Sequence, residues 1–149
     1  MKELYLTEEE KGISGEQLEK MLDDLLVQYP DAKKVLIIPP DYTRCYSYAG
    51  EITQLLYKKL SPSAQIDVMP ALGTHMAMNE DEMQKFFGDV VPRDRIIVHH
   101  WQTDTVCLGY VPAEVCSEIS NGLFPEQIDV EVNHLLVDGG YDLILSVGQ

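Results

Sequence analysis

The stretch that decides the fold of this chain is Lys34-Val35-Leu36-Ile37-Ile38-Pro39-Pro40-Asp41-Tyr42-Thr43-Arg44. Its first half is short, apolar and rich in branched side chains, a pattern that predicts a buried strand. Proline cannot donate to a central ladder, so we expect the strand to stop at Pro39. An acid, a hydroxyl and an arginine then follow at the strand's carboxyl end, the edge at which open α/β sheets bind ligands.

The polar turn after this strand has two interpretations. A guanidinium at a ligand-binding edge is suited to hold a carboxylate or phosphate through two parallel hydrogen bonds, which makes Arg44 a candidate anion-binding residue. In the simpler interpretation Asp41 caps the next helix and Arg44 lies on the surface, because turns are rich in Asp whatever their function. The residues of the turn leave both interpretations open.

The rest of the chain predicts an alternation of strands and helices. The predicted helices cover about residues 14–29, 49–60, 79–88 and 112–119. Further strands are predicted at 65–69, 95–98, 107–111, 129–137 and 143–147, with an edge strand at 3–7. The order strand, helix, strand, helix, strand is typical of βαβ units and predicts an α/β fold with a mainly parallel sheet.

Composition limits the classes of partner. A length of 149 residues fits one domain, and 45% hydrophobic with 24% charged residues indicates a globular chain. A net charge of −14 argues against nucleic acid and against an anionic membrane surface, both of which attract basic faces. The three cysteines lack Cys-x-x-Cys spacing, which favours reduced thiols in a cytoplasmic protein over a disulfide framework.

Parallel strands with right-handed crossovers place their carboxyl ends along one edge of the sheet. We therefore expect Asp41, Arg44, His75, His99 and His100 to approach a common crevice. His75 is the strongest candidate for proton transfer, since an imidazole exchanges a proton near neutral pH. The competing interpretation is a histidine that is hydrogen-bonded near a helix start and has no catalytic role.

Two further hypotheses come from the same residues. The first is a zinc hydrolase that uses His75 with His99 or His100. Its weakness is that neighbouring residues of an extended segment point to opposite faces, and no His-x-x-x-His spacing is present. The second is a non-catalytic α/β module whose crevice binds a small carboxylate or phosphate. His134 lies within an apolar run and is predicted to be structural.

Four motifs, in this order, resemble the amino-terminal domain of the lactate racemase family, the nickel-pincer nucleotide enzymes. The motifs are Asp41-Tyr42-Thr43-Arg44, Ala71-Leu72-Gly73-Thr74-His75, His99-x-Trp101, and Val132-Asn133 ahead of Asp142-Leu143-Ile144-Leu145-Ser146-Val147-Gly148. The resemblance covers roughly residues 30 to 149. It implies a Rossmann-like, three-layer α/β domain that faces a second domain across a cleft.

The resemblance also implies an activity, the racemisation or epimerisation of a 2-hydroxy acid. In the family, nickel held in a modified pyridinium nucleotide takes a hydride from the substrate's C2 and returns it to either face. His75 corresponds to the first of two histidines that act as general base and acid on the hydroxyl. Arg44 corresponds to the arginine that holds the substrate carboxylate, and Asp41 and Thr43 to cofactor-binding positions.

The sequence departs from the family pattern in three places. Met76 stands where members often carry a basic residue, and His100 where many carry Asp. In the family a second catalytic histidine, a cofactor-bearing lysine and a nickel-binding histidine follow the Ser-Val-Gly strand, and this chain has no Lys or His after His134. We therefore expect residues 1–149 to form a single α/β domain of a longer two-domain enzyme. Alone it should be inactive, hold no covalent cofactor or metal, and expose an apolar face that favours self-association.

Overall fold

The structure is a computed structural model that describes residues 2–8 and 11–148. In chain order its elements are α1 (Gly15–Leu26), β1 (Lys34–Ile38), α2 (Ala49–Leu60), β2 (Gln65–Val68), α3 (Glu80–Phe87), β3 (Thr105–Val111), α4 (Ala113–Ile119), β4 (Ile128–Asn133), α5 (Leu135–Asp138) and β5 (Leu143–Ser146). Two 3-10 turns span Tyr42–Arg44 and Arg93–Arg95. Contacts divide the chain into unit 1 (residues 1–71, 78–97 and 141–149) and unit 2 (residues 72–77 and 98–140). That the whole chain acts as one domain of a longer enzyme remains a prediction.

Unit 1 contains a parallel sheet whose described strands lie in the order β2-β1-β5. The register places Leu36 of β1 opposite Asp67 of β2 on one side and Ile144 of β5 on the other. The α/β class and the parallel sheet, which the order of strands and helices predicts, are thereby confirmed. The central position of β1 accounts for its uninterrupted apolar sequence, since parallel strands flanked on both sides are buried.

The core of unit 1 lies against one face of this sheet. Val35 and Ile37 of β1 are fully buried in a cluster that includes Leu22 of α1, Leu56 of α2 and Phe87 of α3. Side chains of a strand alternate between faces, so Leu36, Asp67 and Ile144 belong to the opposite face. On that face Leu36 and Asp67 are buried and Ile144 is exposed, whereas residues of α1, α2 and α3 belong to the cluster on the other face. A three-layer arrangement with helices on both faces is therefore not confirmed.

Helix α1 begins where the sequence predicts. The Ser14 hydroxyl accepts the Gln17 N–H, and the Gln17 side chain accepts the Ser14 N–H, which together make a capping box. This arrangement satisfies two of the N–H groups that a helix start leaves without a partner. The acidic start of α3 is capped in the same way, by Asn79 and Glu82.

Three predicted strands are wrong in whole or in part. Residues 3–7, all of which are described, are not in a strand. Residues 95–98 form no strand either, because only Ile96 makes a bridge, to Val68, and the chain then leaves the sheet. The strand predicted at 129–137 ends at Asn133, whose side chain accepts the Leu135 N–H and starts the short helix α5.

Unit 2 contains an antiparallel pair, β3 and β4, with a register shift between Cys107 and Gly109. Helix α4 lies between these strands in the chain and begins after Pro112, as predicted. Proline is favoured near a helix start because its missing N–H would have no helical partner there. Across residues 2–8 and 11–148, none of the helices combines the length and the apolar character needed to cross a membrane.

Candidate functional site

The turn that follows β1 is organised by Asp41. Its carboxylate is buried, and Oδ1 accepts hydrogen bonds from the Thr43 main-chain N–H, at 2.9 Å, and from the Thr43 hydroxyl. Asp41 thus caps the 3-10 turn Tyr42–Arg44, as the simpler interpretation of the sequence predicts. Capping holds the turn in one conformation at the carboxyl end of the central strand.

Arg44 and Thr43 are presented at the surface of this turn. Both side chains are exposed, and Tyr42 anchors the turn by packing edge-on against Phe86 at a centroid distance of 6.4 Å. Tyr48, four residues after Arg44, adopts a left-handed conformation with φ 63°. A bulky residue in that region is strained, and such strain is concentrated at functional segments. An anchored turn with an exposed guanidinium is able to bind an anion.

Ala71, the last residue of unit 1 before the loop that carries His75, is held at the end of β1. Pro40 and Ala71 form a parallel bridge, and the Ala71 N–H donates to the Pro39 carbonyl at 2.8 Å. Gly73 has a φ of 52°, a conformation that glycine adopts without strain. The His75 N–H donates to the Leu72 carbonyl at 2.8 Å, which closes a turn, and the His75 side chain is exposed.

The half-buried His99 and the buried Asn133 form a polar pair within unit 2. The Asn133 side chain is 5% exposed, and its Nδ2 lies 2.8 Å from Nδ1 of His99. The Asn133 Oδ1 accepts the Leu135 N–H at 2.9 Å. The sequence interpretation gave Asn133 no role of its own, because its partner is 34 residues distant. Its position at the end of an alternating apolar run was the available indication that an amide had to be buried.

A second polar cluster surrounds Asp104. Its carboxylate accepts the His100 main-chain N–H at 2.8 Å and the Thr103 hydroxyl at 3.0 Å. The hydrogen bond from His100 is the largest cause that lowers the pKa of Asp104, and the imidazoles of His100 and His134 add to it. The Asp104 carbonyl accepts from Nδ1 of His134 at 3.0 Å, so this histidine is hydrogen-bonded as expected of a structural residue.

The metal-site hypothesis gains no support. Among the residues that the structure describes, no group of three or more His, Cys, Asp or Glu side chains is placed to hold a metal ion. Asp41, Thr43 and Arg44 belong to unit 1, whereas His75, His99 and His100 belong to unit 2. Their approach to a common crevice, and the role assigned to each, remain predictions.

The fold and these turns define a class of protein. Proteins of this class contain an α/β domain with a parallel sheet, and the central strand of that sheet ends in a capped turn with an exposed arginine. The family model described as the lactate racemase N-terminal domain matches residues 8–147. The chain therefore belongs to this family, and the resemblance drawn from four motifs is confirmed.

The solved structures that are similar to the chain include the following two. One is the crystal structure of a Thermotoga maritima protein, with 27% identity and a TM-score of 0.73, covering 89% of this chain and 33% of that one. The other is the lactate racemase apoprotein from Thermoanaerobacterium thermosaccharolyticum, with 24% identity and a TM-score of 0.53, covering 78% of this chain and 25% of that one. The second likeness concerns the fold alone. The chain thus spans a third or less of these proteins' lengths, and no curated protein matches it.

Proposed function

We propose that this chain is the amino-terminal part of an enzyme that racemises or epimerises a 2-hydroxy acid. The observation that carries the proposal is the family match over residues 8–147, which includes every motif residue assigned a role. The proposal extends to a Rossmann-like arrangement in the whole protein, a carboxy-terminal partner domain and a cytoplasmic location. The isolated chain is expected to be inactive.

Arg44 is assigned to the substrate carboxylate. Arg44 is exposed on a turn that Asp41 caps and Tyr42 anchors, so the main chain that carries the guanidinium is held in one conformation. The planar fork of an arginine matches the two oxygens of a carboxylate, which orients the acid as well as binding it. Holding the carboxylate fixes the position of C2 and its hydroxyl, the two groups at which the reaction occurs.

His75 is assigned to the hydroxyl proton. Racemisation at C2 requires that the hydroxyl lose its proton as C2 loses hydride and regain it on return, and a histidine is suited to both transfers near neutral pH. His75 is exposed on a turn closed by its own N–H. It follows Ala71 by four residues, as Arg44 follows Pro40, and Pro40 and Ala71 are bridged.

The family's cofactor fits the described residues only in part. The nickel-pincer nucleotide supplies the acceptor for the hydride, and the described part of the chain offers no cluster of nickel ligands. The Asp41–Thr43 turn offers polar groups for the nucleotide portion. The Thr43 hydroxyl already donates its proton to Asp41, so towards a ligand the Thr43 oxygen can act only as a hydrogen-bond acceptor. We propose this contact for Asp41 and Thr43 and assign no nickel contact to the chain.

The test uses the longer protein that carries residues 1–149, loaded with cofactor, and measures the interconversion of the enantiomers of lactate and of larger 2-hydroxy acids. His75→Ala should lower kcat by about 10²- to 10⁴-fold, the usual contribution of a general acid-base group. His134→Ala is the matched control, since it removes another exposed imidazole of unit 2, one to which no catalytic role is assigned, and it should leave kcat unchanged.

A second pair of variants tests the carboxylate contact. Arg44→Lys keeps the charge but loses the fork, and should raise KM by about ten- to a hundredfold, the value of one charged hydrogen bond. The control is the same change at Arg95, Arg95→Lys, because the Arg95 guanidinium pairs with Asp67. A His75→Ala enzyme that keeps its rate would overturn the assignment. A loaded wild-type protein that binds hydroxy acids without interconverting them would favour the non-catalytic binding module.

A further inference from the structure

The orientation of the Asn133 amide is determined by the main chain. The Leu135 N–H donates to one atom of the amide at 2.9 Å. An amide NH2 group has no lone pair to accept with, so that atom is the oxygen Oδ1. Asn133 is 5% exposed, so its other atom, the nitrogen Nδ2, finds its partner within the protein.

That partner is Nδ1 of His99, at 2.8 Å. The Nδ2 group only donates, so Nδ1 accepts through its lone pair. A neutral imidazole carries one proton, and with Nδ1 unprotonated that proton is on Nε2. The tautomer of His99 is therefore set by a chain of two hydrogen bonds that begins at the main chain of Leu135.

We propose that Asn133 holds His99 as a hydrogen-bond donor through its Nε2–H, a donor that contacts an oxygen of the bound ligand. In this tautomer Nε2 has no lone pair, so it neither takes up a proton nor ligates a metal ion. His99 is half-buried, and its Nε2 makes no hydrogen bond with any protein group in residues 2–8 and 11–148. Asn133 is a positioning residue, since it acts through His99.

His134 provides the opposite case in the same unit. Its Nδ1 lies 3.0 Å from the Asp104 carbonyl, which only accepts, so Nδ1 carries the proton and Nε2 keeps its lone pair. His99 and His134 are therefore predicted to be opposite tautomers. His134 therefore serves as an internal reference when the tautomer of His99 is measured.

The ligand contact rests on the proposed function, because the oxygen in question would be a carboxylate or hydroxyl oxygen of the hydroxy acid. The tautomer does not rest on it, since it follows from hydrogen bonds within unit 2. The two parts fail separately, and the experiment has one arm for each.

The first arm is ¹⁵N nuclear magnetic resonance of the imidazole nitrogens at about pH 8.5, roughly two units above the ordinary pKa of histidine. We expect a protonated Nε2 and an unprotonated Nδ1 for His99, and the reverse for His134. Asn133→Asp should invert His99, because a carboxylate accepts from Nδ1–H. Asn79→Asp, the same chemical change at the cap of α3, should leave His99 as in the wild type. An unprotonated Nε2 in wild-type His99 would overturn the proposal, whatever the stability of the Asn133 variant.

The second arm measures turnover in the longer, cofactor-loaded protein. His99→Gln restores an amide N–H close to the Nε2 position, whereas His99→Ala removes the donor. We expect His99→Gln to keep KM for lactate within a few-fold of wild type and His99→Ala to raise it by about tenfold, the value of one hydrogen bond to a charged group. An unchanged KM in His99→Ala would overturn the ligand contact. Absence of turnover in the wild type would overturn the proposed function and the contact that rests on it, while leaving the tautomer established by the first arm.

Discussion

Gly50 is the position at which the smallest possible substitution tests the packing behind the Arg44 turn. It lies in the first turn of α2, where a Cβ would come within 2.5 Å of the Phe86 carbonyl oxygen and 3.3 Å of the Phe86 ring. That carbonyl belongs to the last turn of α3 and accepts the Gln54 side chain at 3.0 Å. The close partner is main chain, so Gly50→Ala forces α2 and α3 apart.

The magnitude follows from two opposing effects. Overpacking a tight contact costs about 1–3 kcal/mol, and a clash with main chain belongs at the upper end. Alanine regains about 0.5–1 kcal/mol over glycine within a helix. We therefore expect Gly50→Ala to lower the free energy of unfolding by about 2 kcal/mol, which corresponds to a Tm lower by about 4–8 °C for a chain of this size.

The assay is urea unfolding followed by far-ultraviolet circular dichroism, which measures helix content directly, whereas the one tryptophan, Trp101, lies in unit 2. Gly15→Ala is the matched control, since nothing lies within 4 Å of a Cβ there, and it should be neutral or stabilising. A Gly50→Ala protein as stable as the wild type would refute the close approach of the two helices. Through Phe86, which packs on Tyr42, the variant should also disturb the turn that carries Arg44.

Three further changes test individual contacts. Burial, then the hydrogen bond to Asp67, raises the pKa of Tyr141 to about 12. The protonated Tyr141 hydroxyl therefore contributes fully to the free energy of unfolding below pH 10, and this contribution is lost as the pH rises toward 12. At neutral pH the wild type should be roughly 1 kcal/mol more stable than Tyr141→Phe in urea unfolding, and the difference should shrink between these two pH values. The pKa of Asp142 is lowered because its carboxylate accepts two main-chain N–H groups at the start of β1. Asp142→Ala should be less stable than wild type at neutral pH, with a difference that disappears as acid titration passes below 3.8. Ser14→Ala removes the cap on the Gln17 N–H and should cost about 1 kcal/mol in the same unfolding assay.

The sequence predicted best where local pattern and tertiary context agree. Strand β1 stops before Pro39 and helix α1 starts at a capping box, both as predicted, although α1 ends at Leu26 and not near residue 29. Residues 95–98 look like a strand because the three residues after Arg95 are apolar and branched, yet only Ile96 makes a bridge there. The strand predicted from residue 129 extends past Asn133, because apolar residues follow at 135–137 and nothing local shows that this amide ends the strand by capping Leu135.

The candidate turns were located because they follow strands, which is a property of sequence order. The sequence predicted that Asp41 and Arg44 follow β1 and that His75 follows β2, and both loops leave the sheet beside the Pro40–Ala71 bridge. The pairing of His99 with Asn133 was not predictable, because a hydrogen bond across 34 residues depends on how β4 ends. By sequence alone His99 is a candidate metal ligand, whereas its hydrogen bond with Asn133 indicates that Nε2 is a donor.

The central claim is that the turns carrying Arg44 and His75 act on one substrate molecule. Its most direct test is a crystal structure of the longer protein with a bound 2-hydroxy acid. We predict that the Arg44 guanidinium contacts both carboxylate oxygens, and that a ring nitrogen of His75 lies within about 3.2 Å of the hydroxyl of the same molecule. A ligand held by neither side chain, or Arg44 and His75 facing different sides of the protein, would contradict the claim.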